Sequence, residues 1–225
     1  MNTSRIPLSF IFLAITLLGI VETTHAAPIS TSFTIFDAEN TPVKDAVIQL
    51  ISKNPTPPST TRKNELSQKD KQFTPFVLPI QRGTSIVFPN YDDIQHHVYS
   101  FSGIKKFELK LSKDSKANPI TFEKPGIVPV GCNIHDWMLA YIYVVDTPYF
   151  STTNSNGSAT LSLPSDGEYL IKIWHPRLPD ENVNYTKEGI TKIVAKDGTT
   201  KVIALNLTIS TGSDADEDID EFEDY

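Results

Sequence analysis

Apolar and polar residues alternate with a period of two along much of this chain, and the alternation predicts many short β-strands. Clear examples are TSFTIFD from Thr31, KKFELKL from Lys105 and LAYIYVVD from Leu139. Turns rich in Pro, Gly, Asn and Asp separate these stretches, and no apolar repeat at helical spacing is sustained beyond the N-terminal segment. Short strands at this spacing are typical of a β-sandwich or β-barrel, so we predict an all-β protein.

Two groups of strands flank a more tightly patterned central region. Residues 29–53 indicate strand, turn and strand, and residues 146–210 indicate strands around SNG and SDG turns and a final hairpin around KDG. Each segment lacks the strands that the other supplies. We therefore predict one small β-sandwich split in sequence, with residues 72–145 inserted as a second sandwich; two sandwiches in tandem are the alternative. The polar, proline-rich stretch at 54–71 is predicted to be a linker or a long surface loop.

The two ends of the chain differ in composition from the rest. Residues 1–26 combine a positive charge at Arg5, an apolar run and small residues, which predicts a signal peptide cleaved after Ala26; an uncleaved membrane anchor is the alternative. We therefore expect a periplasmic protein without stable membrane insertion. Residues 211–225 carry eight carboxylates in a chain of formal net charge −7, which predicts a disordered tail. This tail would aid solubility or, alternatively, dock to a partner or gather metal.

Composition narrows the class of protein. A hydrophobic content of 39% and a charged content of 21% are typical of globular domains. We expect no nucleic-acid binding, because the sequence has no basic patch with interleaved aromatic residues. Cys132 is the only cysteine, so it cannot close an internal disulfide. A free thiol in an exported protein is a liability unless it is buried or bound to metal.

The stretch GCNIHDWM concentrates the sulfur-containing residues of the chain. It holds Cys132 and the only methionine besides the initiator, Met138, with His135 between them. A copper ion that cycles between two oxidation states suits imidazole nitrogens, a thiolate and a weak axial thioether. This loop supplies three of the four ligands, and strands predicted on both sides would bring them together. The sequence therefore predicts a copper site that needs one more histidine.

Four other histidines could complete the site. They are His25, His96, His97 and His175. His25 is expected to leave with the signal peptide, and His175 is expected to lie on the surface at a strand end. His96 and His97 begin a predicted strand, in which adjacent side chains face opposite ways, so only one of these two can face the metal.

Both halves of this site resemble the plastocyanin-type family of cupredoxins. NYDDIQHHVYS is similar to the family pattern Asn-x-Asp-x-x-x-His-x-Val-x-Ser, whose copper-binding histidine falls at His96. FEKPGIVPVGCNIHDWMLAYIYV is similar to the second half of the pattern, and its two-residue gap before Met138 is the amicyanin form. The resemblance covers residues 72–145. It implies a Greek-key sandwich with one mononuclear copper ion, and the implied ligands are His96, Cys132, His135 and Met138.

The sequence departs from the family pattern beside the implied ligands. Val128 and Val130 replace two tyrosines, Ala140 replaces a glycine, and Asp136 stands where amicyanin has proline. The ligand set is intact, but these changes bear on the redox potential and the partner surface. Trp137 is predicted to form an apolar rim beside the ligand histidine, with ordinary packing as the alternative.

The flanking segments resemble the carboxypeptidase-regulatory-like β-sandwich, and Trp174 is predicted to lie in its core. The whole arrangement is similar to bacterial proteins named for methylamine utilisation. The resemblance implies a blue-copper protein that carries single electrons between protein redox partners, such as a dehydrogenase and a cytochrome. We expect no enzyme activity, because a full ligand set leaves no open position for a substrate. The alternatives are a copper-binding or delivery module and an interaction protein that copper staples together.

Overall fold

The computed structural model describes residues 27–53, 64–115, 117–178 and 190–206. The predicted signal peptide and acidic tail lie outside these residues. All the regular secondary structure in these residues is β-strand. The described part of the chain contains no helix long and apolar enough to cross a membrane.

Seventeen strands follow one another along the described chain. In order they are β1 (Ile29–Phe36), β2 (Val47–Ile51), β3 (Asn64–Glu65), β4 (Ser67–Lys69), β5 (Gln72–Thr74), β6 (Val77–Gln81), β7 (Thr84–Val87), β8 (His96–Phe101), β9 (Lys106–Leu111), β10 (Ile120–Phe122), β11 (Gly126–Cys132), β12 (Leu139–Val145), β13 (Tyr149–Thr152), β14 (Ser158–Leu163), β15 (Gly167–Trp174), β16 (Lys192–Ala195) and β17 (Thr199–Ala204). The all-β prediction is confirmed.

The first two strands and the last five form one sandwich, called here the flanking sandwich. Its sheets have the orders β14-β1-β17 and β13-β2-β15-β16. Strand β1 pairs antiparallel with β14 and parallel with β17, and β2 pairs with β13 and β15. Alternate side chains such as Phe33 and Ile35 are fully buried between the sheets. The predicted sandwich split in sequence is therefore confirmed.

Residues 64–145 form the other sandwich, called here the central sandwich. The sheet β6-β12-β11-β8-β9 and the sheet β10-β7-β3 enclose an apolar core that includes Phe88, Phe122 and Ile142. Strand β11 pairs antiparallel with both β12 and β8, so the loop after β11 lies beside the start of β8. A short hairpin of β4 and β5 completes this sandwich.

The linker is shorter than the sequence indicated. Residues 54–63 lie outside the described part of the chain, but residues 64–71 contribute β3 and β4 to the central sandwich. Leu66 is fully buried, and Ser67 and Gln68 are also buried, with side chains that donate to backbone oxygens. The polar composition of these residues indicated a loop rather than strands. Buried polar groups need hydrogen-bond partners, and a sequence does not show those partners.

The last two strands do not form the hairpin predicted around KDG. Strand β16 pairs with β15 in one sheet, whereas β17 pairs with β1 in the other. The turn, in which Gly198 has a φ of 66°, therefore carries the chain from one layer to the other. A hairpin and a crossing between layers both produce alternating burial, so the alternation alone could not distinguish them.

A third apolar cluster joins the two sandwiches. Its buried members are Val47, Val77, Tyr143, Val145, Phe150 and Trp174. The Trp174 ring lies 5.0 Å from the Tyr143 ring and 5.8 Å from the Tyr141 ring. The Gln49 side-chain amide donates to the Tyr143 hydroxyl over 2.6 Å. Trp174, predicted in the core of the flanking sandwich, therefore packs at its junction with the central sandwich.

Candidate metal centre

The loop between β11 and β12 carries three of the predicted ligands. Cys132 is the last residue of β11, and Met138 directly precedes β12. The Met138 N–H donates to the carbonyl of His135 over 3.0 Å, which closes a turn inside the loop. The Asn133 N–H donates to the carbonyl of His97, so the loop is also tied to β8. These contacts hold Cys132 and His135 beside the start of β8.

His96, Cys132 and His135 converge. The Cys132 Sγ lies 3.7 Å from the Nδ1 of His96 and 3.7 Å from the Nδ1 of His135. The three ligand atoms all lie within 4.8 Å of one another, and the two imidazole rings are 5.1 Å apart between centroids. His96 is 0% exposed and Cys132 is 3% exposed, whereas His135 is partly exposed.

His97 faces away from this cluster. Its Nε2 contacts the carboxylate of Glu108, and its Nδ1 lies 3.4 Å from the Nδ2 of Asn133. The alternation of side chains along β8 explains why the neighbouring histidines have separate surroundings. The structure thus brings His96, and not His97, to Cys132.

Met138 lies at the inner end of the loop. It is 2% exposed and belongs to the same apolar cluster as Cys132. Its side chain therefore points into the core of the central sandwich rather than to the solvent. Its role as an axial ligand stays a prediction.

The other candidate histidines are not in the cluster. His25 lies outside the described residues. His175 is 6% exposed and lies after the end of β15, so the prediction of a surface position is wrong. The Arg177 N–H donates to its Nδ1 over 3.2 Å. Burial, with a smaller effect of the Arg177 charge, lowers the pKa of His175 to about 4.

Asp92 supports the buried ligand histidine. Its Oδ2 lies 2.8 Å from the Nε2 of His96, and its two oxygens accept hydrogen bonds from the N–H groups of Asp70 and Lys71 over 2.6 and 3.0 Å. Desolvation by itself raises the pKa of Asp92, but hydrogen bonds from Lys71, His96 and Asp70 outweigh it and lower the pKa. The ionised carboxylate accepts the Nε2–H of His96, which leaves a lone pair on the Nδ1 that faces Cys132.

His135 is also suited to bind metal in its neutral form. Desolvation, followed by the charges of His96 and Lys71, lowers the pKa of His135 below its usual range. Two neutral imidazoles and one thiolate form a donor set that suits copper, with zinc as a competitor for the same donors. The residues present therefore fit the mononuclear copper ion that the sequence predicts.

Exposed apolar side chains lie in the ligand loop beside the outer histidine, His135. Trp137 is 59% exposed and its ring lies 5.3 Å from the ring of His135. The Trp137 Nε1–H donates to the carbonyl of Lys71 over 3.2 Å. Ile134, also in the ligand loop, is 54% exposed. The rim predicted for Trp137 therefore exists, and its use by a partner stays a prediction.

The residues that support the two histidines were hard to predict from the sequence. Asp92 is part of the matched pattern, but its carboxylate had no assigned role. Asp70 and Lys71 fall in the stretch predicted as a linker. Their contacts with Asp92 are made by backbone groups, which leave no signal in residue type.

Comparison with known proteins places cupredoxins among the structures similar to this chain. No protein-family model matches the chain, and no curated protein matches it. The purple cupredoxin of Nitrosopumilus maritimus is 20% identical, with a TM-score of 0.33, and the match covers 37% of this chain and 100% of that one. The amicyanin of Paracoccus versutus is 20% identical, with a TM-score of 0.34 and coverage of 44% and 97%. The copper-containing nitrite reductase of Thermus scotoductus is 27% identical, with a TM-score of 0.35 and coverage of 43% and only 25%.

Proposed function

We propose that this protein is a blue-copper electron carrier, in which His96, Cys132, His135 and Met138 hold one mononuclear copper ion. One observation carries the proposal: the Sγ of Cys132 and the Nδ1 atoms of two histidines, from different elements, lie within 4.8 Å of one another. A buried cysteine alone is common, but two imidazoles turned toward its sulfur are the donor set of a copper–thiolate centre.

Each side chain has a distinct task in this proposal. Copper, when bound, supplies a one-electron couple. Cys132 provides the thiolate, and Asp92 holds His96 in the tautomer that presents Nδ1. Met138 would offer its thioether sulfur as a weak further ligand, which would help to set the potential. Strands β8, β11 and β12 provide a rigid scaffold that keeps the ligand positions similar in both oxidation states.

The partly exposed edge of His135 is the proposed route for electrons. His96 and Cys132 are buried, so among the described ligands His135, beside the exposed Trp137 and Ile134, is the one open to a partner. An apolar rim of this kind suits brief contact with another protein. The proposed partners are redox proteins, such as a dehydrogenase and a cytochrome. We propose no enzyme activity, because the buried donors leave little room for a substrate.

The setting of the protein is also a proposal. The N-terminal sequence supports export to the periplasm, where the buried position of Cys132 would protect its thiol. The flanking sandwich is proposed to be a carboxypeptidase-regulatory-like module. Its apolar junction with the central sandwich would hold the two in one arrangement while a partner docks.

Copper loading of the purified exported protein tests the proposal. We expect an intense visible thiolate-to-copper absorption band and a reversible one-electron voltammogram, both of which Cys132→Ala abolishes. His97→Gln is the matched control and retains both, because His97 faces Glu108. Preference for zinc without redox activity would overturn the proposal. Colourless copper that a mild chelator removes would indicate a delivery module instead, and copper that never cycles but whose removal unfolds the protein would indicate a structural staple.

A further inference from the structure

One two-residue turn contacts the supports of both ligand histidines. The turn, Asp70–Lys71, joins β4 to β5. The Asp70 N–H donates to Oδ1 of Asp92 over 2.6 Å, and the Lys71 N–H donates to Oδ2 of Asp92 over 3.0 Å. The carbonyl of Lys71 accepts from Trp137 Nε1 over 3.2 Å. The same peptide segment therefore contacts two residues, each of which lies beside one of the two imidazoles.

The two contacted residues each touch one imidazole. Asp92 bonds the Nε2 of His96 over 2.8 Å, and the Trp137 ring lies 5.3 Å from the ring of His135. A continuous chain of contacts thus runs from one imidazole to the other through the turn. Neither Asp92 nor Trp137 is placed among the ligands.

We propose that the Asp70–Lys71 turn is a positioning element that ties His96 to His135 and holds both rings ready before metal binds. The proposal rests on the proposed function for its purpose, but its physical content concerns the metal-free protein. The turn acts through its backbone: two N–H groups orient the Asp92 carboxylate, and one carbonyl orients the Trp137 indole.

Asp92 fits this task because a carboxylate has enough acceptor positions. It accepts from two backbone N–H groups and from His96 at once. An asparagine has only one acceptor oxygen, and its amide group would face either a backbone N–H or the imidazole nitrogen. Asp92→Asn therefore keeps the shape of the side chain but cannot accept from both backbone N–H groups and His96 at once, so His96 no longer faces a partner that only accepts.

The backbone of the turn supports the same conclusion. Asp70 and Lys71 have φ values of 54° and 55°, in the left-handed region that non-glycine residues rarely adopt. Asn-Gly and Asp-Gly are the pairs favoured in such two-residue turns. A lysine in the second position keeps this conformation only when the surroundings stabilise it. The bonds to Asp92 and Trp137 are contacts that do so.

Nuclear magnetic resonance of the metal-free full chain provides the first test. The imidazole nitrogens of His96 are expected to report a single tautomer with the proton on Nε2. Asp92→Ala, and Asp92→Asn as a variant of the same shape, are expected to give a mixture of tautomers. Asp93→Ala is the matched control, because Asp93 is a neighbouring exposed carboxylate that pairs with Lys113. The Asp93→Ala spectrum is expected to match that of the wild type. An Asp92→Ala spectrum that also matches the wild type would overturn the proposal.

The second test measures whether the positions of the His96 and His135 rings depend on each other through the turn. Trp137→Phe keeps an aromatic ring but removes the donor to Lys71. It is expected to shift the imidazole signals of His96 as well as those of His135. Signals that change at His135 alone would overturn the tie between the rings.

Copper affinity tests the same tie with the ion as the probe. Asp92→Ala and Trp137→Phe are each expected to weaken binding about 10- to 100-fold, the range for residues that support ligands. The double variant is expected to lose less than the product of the two losses, because both act through one turn. Strictly multiplicative losses would contradict the tie. If the wild-type chain binds no copper, the proposed function fails, while the metal-free spectra still decide the role of the turn.

Discussion

Each sandwich contains one buried histidine, His96 or His175, and the two rings have different hydrogen-bond partners. In the central sandwich, His96 is bonded by the Asp92 carboxylate on one nitrogen and faces the sulfur of Cys132 with the other. In the flanking sandwich, His175 accepts from the backbone N–H of Arg177, and its remaining electrostatic neighbours are the Arg177 charge and the backbone of Lys44.

The difference teaches that burial does not by itself make a histidine functional. Desolvation disfavours a charged imidazole at His175. At His175, backbone groups provide hydrogen bonds to the neutral ring, so its role is structural. At His96, a second imidazole lies 5.1 Å away and a thiol lies within reach, so donors converge where a metal can bind. The partners of the ring, rather than its exposure, distinguish the site.

Replacement of the two histidines gives the largest expected contrast. His96→Ala is expected to weaken copper binding by more than about 100-fold, because loss of a direct ligand exceeds the loss of a supporting residue. His175→Gln is expected to leave copper affinity unchanged. Competition with a chelator of known affinity measures both. Equal losses in the two variants would abolish the distinction between the histidines.

Core truncation extends the contrast to stability. Phe122→Ala in the central sandwich and Phe33→Ala in the flanking sandwich each remove a side chain that is 0% exposed. Each is expected to lower the free energy of unfolding by about 3–5 kcal/mol. Saturating copper should offset the loss only in Phe122→Ala, since a ligand stabilises the unit that binds it. Thermal unfolding with and without copper measures this, and equal stabilisation of both variants would show that the sandwiches unfold as one unit.

Acid should destabilise the flanking sandwich through His175. Its pKa is lowered to about 4 from 6.5, so between these values the unfolded chain binds more protons than the folded one. The contribution is complete above pH 6.5 and is lost as the pH falls toward 4, by up to about 3 kcal/mol. Chemical denaturation across this range should show a steeper decline for the wild type than for His175→Gln. Equal declines in the free energy of unfolding of the two proteins would show that burial of His175 does not contribute to the loss of stability in acid.

The smallest effect is expected at the junction of the sandwiches. Tyr143→Phe removes the hydroxyl that accepts from Gln49, a residue that is 5% exposed. Loss of a buried hydrogen bond is expected to cost about 1 kcal/mol of unfolding free energy. Val202→Ala, at a side chain that is 67% exposed, is the control and should change little. Equal effects would show that the bond adds nothing to the junction.

Local sequence patterns predicted much of the fold and of the candidate metal centre. The period-two alternation predicted an all-β chain, and the mutual lack of strands in two distant segments predicted the split sandwich. The stretch GCNIHDWM identified the loop with Cys132, His135 and Met138. Alternation along β8 separated His96 from His97 into different surroundings. The two histidines separate because side-chain direction in a strand is a property of the strand itself.

Only the tertiary structure decided which strands pair and which residues support the site. Alternating burial is the same for a hairpin and for a crossing between layers, so the place of β17 beside β1 depended on distant partners. Ser67, Gln68 and His175 are buried and bonded to backbone groups, and residue type does not reveal such bonds. The sequence by itself determined most of the strands, though not β3 and β4, and the donor atoms of the candidate site. The tertiary structure brought the Asp70–Lys71 turn to Asp92, because contacts made by backbone groups are set by the path of the chain and not by residue type.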